Sequence, residues 1–256
     1  MALQLFAGGV ILPAYYAISI LTASAVPKRP RGNVVAKARA LLPAILLGFF
    51  LPSAALFFAP SSFPLDVKQL IAAAWQPFPV WVSVIYMIFR FLSPAQRSEP
   101  EAQARTALKW VKRAYVVCGL SCAAAHVWVL YQTIYVEKSP ESLLKIFVPY
   151  TLLPHLSRLP AQLPQVQDDV DTYRRAVRQF FQFDWLTTVT GGFIYFAWSH
   201  LATAGAAKRS MGIVGWLVRM IVLTVLGGPG AALAWAAISR EERVFALQRA
   251  DSKKEE

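Results

Sequence analysis

The chain has 256 residues, 56% of them hydrophobic and only 16% charged, with a mean hydropathy of +0.44 and a net charge of +12. A soluble domain of this size carries about a quarter charged residues, so the composition excludes a solvated globule in favour of a polytopic α-helical membrane protein. Its basic residues flank apolar stretches and form no compact basic domain. The positive balance therefore reads as helix orientation and contact with the lipid bilayer, with no nucleic-acid partner.

Four uncharged runs stand out, Arg39 to Asp66, Lys68 to Arg90, Arg113 to Glu137 and Asp184 to Lys208. Each is about the ~20 residues needed to cross a bilayer core. In chain order, Met1 to Ala25 lacks a positive n-region and is followed by Lys28, Arg29, Arg31, Lys37 and Arg39. That pattern predicts an uncleaved first span with a lumenal N-terminus. Leu41 to Ala59 is the second span and Leu70 to Leu92 the third. A second basic loop (Arg97, Arg105, Lys109, Lys112, Arg113) leads to the fourth, Ala114 to Val136.

Leu143 to Leu159 has a weak hydropathy signal, because it holds Lys145, His155, Arg158, Pro149 and Pro154. Charge alternation favours a fifth span there. It puts Arg174, Arg175 and Arg178 inside, the loop at Lys208 outside and the basic tail in the cytosol. Asp184 to Thr203 and Gly212 to Ile238 complete seven spans, with six as the alternative. The expectation is one all-α domain over 1–250, with a disordered charged tail at 251–256. Prolines recur inside these spans (Pro13, Pro43, Pro52, Pro77, Pro79, Pro149, Pro154, Pro229). They predict kinks that splay helices around a cavity, although proline is also common in membrane helices generally.

The sixth span has two unlike faces. Asp184, Thr187, Thr188, Gly191, Tyr195 and Trp198 fall on one side at helical spacing, and Trp185, Leu186, Val189, Phe193 and Phe196 largely on the other. The polar and aromatic stripe is expected to face a protein interior. Asp184 reads in two ways: as the N-cap of the span, or as a desolvated mid-helix carboxyl able to donate a proton if the helix runs through from Asp169. Glu241 and Glu242, after Gly227-Gly-Pro-Gly230, close the seventh span. Glu242 is expected at a depth similar to Asp184 and could pair with it; the alternative is a solvated helix end. His126 shares a face with Cys118, Gly119 and Cys122. The spacing fits no defined zinc pattern, so no metal site is expected, and the face reads as packing with His126 as interior hydrogen-bond partner or proton shuttle. The two cysteines, one turn apart, fix no redox compartment. Asp66, with Trp75 and Gln76, marks the outer side.

Missing motifs narrow the chemistry. Asp168-Asp-Val-Asp is not a magnesium–diphosphate motif, and no phosphate loop, nucleophile elbow or histidine box occurs. With Leu12-Pro-Ala-Tyr-Tyr16, Trp75-Gln-Pro-Phe-Pro-Val-Trp81, Gly228-Pro-Gly and Arg240-Glu-Glu, the chain resembles the small fungal integral-membrane cyclases and epoxide hydrolases of terpenoid and polyketide pathways. The resemblance implies cofactor-free, acid-initiated cyclisation of a polyene or epoxide at the endoplasmic reticulum, with a pathway monooxygenase as partner. The acid pair common to the meroterpenoid cyclases does not carry over, because no glutamate precedes Glu99 and the only earlier acid is Asp66.

The resulting expectation is a seven-span enzyme. Asp184 is its acid, Glu242 or His126 the proton partner and Asp66 a further candidate. Trp75, Gln76, Trp81, Thr188, Tyr195 and Trp198 shape a chamber for a small hydrophobic substrate. The rival is a non-catalytic scaffold, receptor-like bundle or transporter component; a transporter normally shows repeated halves.

Overall fold

A computed structural model describes residues 7–22, 33–60, 62–94, 99–131, 134–135, 170–204 and 212–255. The expected fifth span, Leu143 to Leu159, lies outside them. Among the described residues every regular element is helical.

Helix α1 is Ala7–Thr22, with Pro13 inside. Helix α2, Val34–Ile45, starts where Asn33 Oδ1 accepts the Ala36 amide at 3.0 Å. It passes through a π-helical turn, Leu46–Phe50, into α3, Leu51–Phe57. Pro52 explains the turn: it has no N–H for the Gly48 carbonyl four residues back, and the Leu51 amide donates to Leu46 O, five residues back. Helices α4 (Leu65–Trp75) and α5 (Phe78–Leu92) form one apolar unit bent by 57° at Gln76 and Pro77. Helix α6 is Pro100–Tyr131, beginning well before the expected start at Ala114. Helix α7 is Val170–Ala204 and α8 is Ile213–Glu255.

Three helical segments are long and apolar enough to cross a membrane, Val34–Phe57, Pro100–Tyr131 and Ile213–Ala250, or four with the bent α4–α5 pair. Shorter α1 contributes an apolar stretch at Val10–Thr22.

Packing is inverted relative to a water-soluble protein. The buried positions are mostly small: Ala36, Ala38, Ala40, Ala44, Ala114, Ala232, Ala236 and Ala237. The large apolar side chains, among them Leu21, Phe58, Phe91, Leu92 and Val214, point outward. Lipid accepts such a surface, and small residues let helix backbones approach closely. Gly48 is the extreme case, since a Cβ there would sit 2.7 Å from the Val82 backbone on α5.

The most consequential feature is in α8. Gly228 has φ +78° and ψ 162°, outside helical geometry, and divides the helix into arms 213–227 and 229–255. His200 of α7 meets both arms: its ring lies 5.5 Å from Trp216, and its Nδ1 lies 2.7 Å from Arg243 Nη1. On an unbroken helix those two residues would be about 40 Å apart. The arms therefore fold back on each other, with Trp216 and Met220 of the first packed on Ala232 and Ala236 of the second. The expected single seventh span is a helical hairpin with its tip at Gly228.

Contact pairs also fix relative directions. Helix α6 runs antiparallel to the second arm, with Gly119 against Ala234, Lys112 paired with Glu242 and Arg249 with Glu101. Helix α7 runs parallel to α1, because Gly191 meets Pro13 and Tyr16 meets Tyr195. Strict alternation through a span at Leu143 to Leu159 requires those two helices to be antiparallel.

Candidate functional site

The polar and aromatic side chains of the interior gather where α1, α6, α7 and the second arm of α8 converge. Tyr16 and Tyr195 stack at 5.0 Å between centroids, with 23° between planes. Trp198 follows at 6.1 Å, and Phe196 meets Tyr195 edge-on at 5.2 Å. The Arg240 guanidinium lies 5.8 Å from the Tyr195 ring centroid and donates to Glu241 Oε1 at 2.6 Å. Tyr115 of α6 comes within electrostatic reach of Glu241, Arg240, Tyr195 and Tyr16. The arrangement is an aromatic column with a guanidinium–carboxylate pair beside it. Such π-faces stabilise positive charge.

One turn further along α7, Ser199, His200 and Thr203 are buried. Thr203 Oγ1 donates a hydrogen bond to Ser199 O at 2.7 Å. Because Arg243 can only donate, His200 Nδ1 accepts from it, which sets the neutral Nε2–H tautomer. An ionisable group within an apolar helix is a functional-site signal. His200 ends the stripe but lies off its face, so helical spacing from Asp184 passed over it. Tyr16 and Tyr115 likewise come together with Tyr195 only through tertiary packing.

Asp184 lies well inside α7, not at its start, and is half-buried; Thr187 Oγ1 donates to its carbonyl at 3.2 Å. Its position inside the helix rules out the N-cap role. The stripe does turn inward, but its centre is filled: Gly191 meets Pro13, leaving room for helix contact, not for a chamber. Thr188 is half-buried one turn from Asp184. The opposite face is not simply lipid-facing either, since Phe193 and Phe196 pack on the α8 core.

Glu242 does not share the depth of Asp184. It is exposed and ion-paired with Lys112, at the level where His200 meets Arg243. Asp184 precedes His200 by 16 residues, about 24 Å of helix. The side chain beside the aromatic column is Glu241.

His126 has a definite task. Its Nε2 lies 3.1 Å from Val225 O. That carbonyl would ordinarily accept from residue 229, but Pro229 has no N–H. His126 supplies the missing donor and braces the hairpin tip, where a Cβ on Gly228 would lie 2.9 Å from its ring. Cys122 packs on Gly230 in the same way, so this face of α6 is a packing face. Among the described residues no three His, Cys, Asp or Glu side chains come together as a metal site would need.

The other expected chamber residues sit elsewhere. Trp75 donates from Nε1 to Ser53 Oγ at 3.0 Å and faces Phe78 at 5.4 Å. Trp81 is 42% exposed and donates to Ala74 O, and Gln76 caps α4. These three brace the α4–α5 bend and share no ring contact or hydrogen bond with Tyr195 or Trp198. Asp66 is exposed in the first turn of α4, where its charge favours the helix N-terminus.

Comparison with known proteins adds a family. The CtvD domain model matches residues 1–245. A terpene cyclase DEP1 of Alternaria brassicicola is 24% identical over 184 residues, 67% of this chain and 48% of that protein. A terpene cyclase DEP1 of Fusarium langsethiae is 22% identical over 223 residues, 84% of this chain and 61% of that protein. The FAD-dependent monooxygenase verC1 of Penicillium polonicum is 25% identical over 221 residues, 85% of this chain but only 24% of that protein. The chain thus spans about half to three fifths of the length of the two cyclases. No solved structure matches it.

Proposed function

The chain belongs to the CtvD domain family, and from that premise we propose that it is a membrane-embedded, cofactor-free cyclase of secondary metabolism acting on a linear isoprenoid polyene or its epoxide. The observation that carries this reading is the Tyr16–Tyr195–Trp198 column beside Arg240 and Glu241. The relatives named terpene cyclases support the reaction class. The match to part of a monooxygenase supports an epoxidised substrate, made by an oxidising partner enzyme.

In the proposed reaction Asp184 gives a proton to the epoxide oxygen and the carbon–oxygen bond breaks. The resulting carbocation is captured by a neighbouring π bond, which becomes a ring carbon–carbon bond. The final cation loses a proton to a base, or water adds to it and the resulting oxonium gives its extra proton to that base, leaving a diol. Glu241, beside the column and held by the Arg240 guanidinium, takes the role of base in this reading. Asp184 and Tyr195 are about 16 Å apart along α7, so an extended polyene would reach from acid to column.

The test is turnover in microsomes given a polyene and its terminal epoxide. We expect Asp184→Asn to lose at least about a hundredfold, Glu241→Gln to slow turnover or change the product, and Glu242→Gln to keep near-normal activity. Full turnover by Asp184→Asn would sink the acid assignment. A non-catalytic scaffold would show no turnover in the unmodified chain with either compound.

For topology we propose an endoplasmic-reticulum protein with a lumenal N-terminus and a cytosolic C-terminus. The passes are α1, α2–α3, α4–α5, α6, α7 and the two arms of α8. The hairpin supplies the extra pass otherwise required of Leu143 to Leu159, so seven passes are reached without that segment.

A further inference from the structure

Five buried side-chain polar atoms among the described residues have no hydrogen-bond partner, and four belong to residues where the His200 end of α7 meets the two arms of α8: Ser199 Oγ, Trp216 Nε1, Arg240 Nε and Arg243 Nε. Ser199 precedes His200, the Trp216 ring lies 5.5 Å from the imidazole, and Arg243 holds its Nδ1 at 2.7 Å. Arg240 is one turn before Arg243 on the same side of the second arm. All four atoms can donate, and buried donors in native proteins are nearly always matched by acceptors. Charge points the same way. Glu241 accounts for Arg240, whereas Arg243 has no acidic partner among the described residues and faces a histidine. Trp216 also borders a groove of about 450 Å³ between α7 and the first arm. Phe193, Ala197, Leu217, Met220 and Ile221 line the groove, the hydroxyl of Thr224 is turned back onto Met220 O at 2.7 Å so the groove surface is apolar, and Ile194, Leu217 and Ile221 lie open at its edge. It runs from Trp216 toward Val225, from the level of the donors to that of the hairpin tip.

We propose that this locus binds an anionic amphiphile: its oxyanion head, a phosphate or carboxylate, takes the donors of Ser199, Trp216, Arg240 and Arg243, and its apolar tail lies in the α7–α8 groove. Two guanidinium groups suit a planar or tetrahedral oxyanion, and the groove gives the tail a path continuous with lipid. The head can come from a phospholipid or from an isoprenoid acid. The site stands on its own geometry, whatever the chain catalyses.

The full chain in nanodiscs of neutral phosphatidylcholine would be titrated with dioleoyl phosphatidic acid, with farnesoic acid and with neutral farnesol, following tryptophan fluorescence and Tm. A saturable response to an acid, with none to farnesol, is expected. Arg243→Gln should weaken it about tenfold or more, Arg243→Lys less, and Ser199→Ala by a few-fold. Trp216→Phe should remove most of the fluorescence change and leave the rise in Tm. Response to phosphatidic acid alone identifies a membrane headgroup site, and response to farnesoic acid alone a site for an isoprenoid acid. Equal responses to farnesol and farnesoic acid, or an Arg243→Gln variant that keeps the unmodified saturation curve, would overturn the proposal. Because the readout is binding, loss of cyclase activity and loss of this site are separately detectable.

Discussion

His126 and Gly228 show how one residue's role depends on a distant partner. Sequence identifies His126 as an interior hydrogen-bond partner, but not its acceptor, because Val225 is 99 positions away. The need becomes visible only once Pro229 is seen to free the Val225 carbonyl. Removing the donor leaves a desolvated carbonyl, which costs about 1–3 kcal/mol. His126→Ala should therefore lower Tm in detergent, and His126→Asn should recover part of the loss if its amide reaches the carbonyl. Gly228→Ala should cost more, about 2–4 kcal/mol, since a side chain at φ +78° is strained and its Cβ would meet the His126 ring at 2.9 Å. A Gly228→Ala protein with the unmodified Tm would show that the hairpin tip is not held this way. Asp184 was legible as an in-helix carboxyl, because the amphipathic run before it continues the helical period. Its separation from Glu242 was not, because depth depends on where α8 folds back.

At the scale of elements, the prolines marked where helices depart from regularity but not what form the departure takes. Pro52 gives a π-helical turn, Pro77 a 57° bend and Pro229, next to a glycine at positive φ, a full reversal. The neighbouring residues decide. Gly48 lies within the π-helical turn and lets α5 approach until the Val82 backbone would stand 2.7 Å from any Cβ. Gly48→Ala should thus push α2 and α5 apart and cost about 1–3 kcal/mol. Trimming the neighbour, Gly48→Ala with Val82→Ala, should recover little of that, because the nearest atoms are backbone. Complete recovery of Tm in the double variant would place the clash on the Val82 side chain. The α4–α5 aromatics were similarly legible as a motif, but their contacts are made at the α4–α5 bend and not with Tyr195 or Trp198. Their hydrogen bonds stay within the α2–α5 group, which the sequence spacing could not reveal.

For the whole molecule, hydropathy made plain an all-α chain whose helices include several long and apolar enough to cross a membrane. The order of crossings was harder to read, because charge alternation assumes that each apolar run crosses once. Gly212 to Ile238 violates that assumption. With the reversal at Gly228, the start of α2, the end of α5, the start of α6, the end of α7 and the C-terminal part of α8 all fall at one end of the bundle. That end collects Lys37, Arg39, Arg105, Lys112, Arg113, Arg240, Arg243 and Arg249. Cytosolic enrichment in Lys and Arg supports such an arrangement. It can be tested by glycosylation mapping, with acceptor sites inserted near 160, near 208 and after 256 in the full chain expressed in microsomes. Modification is expected at the site near 160 alone, because the hairpin returns the chain to its starting face. If instead the site near 208 is glycosylated and the site near 160 is not, Leu143 to Leu159 crosses the membrane, α7 is inverted, and its parallel packing on α1 through Pro13 and Tyr16 is wrong.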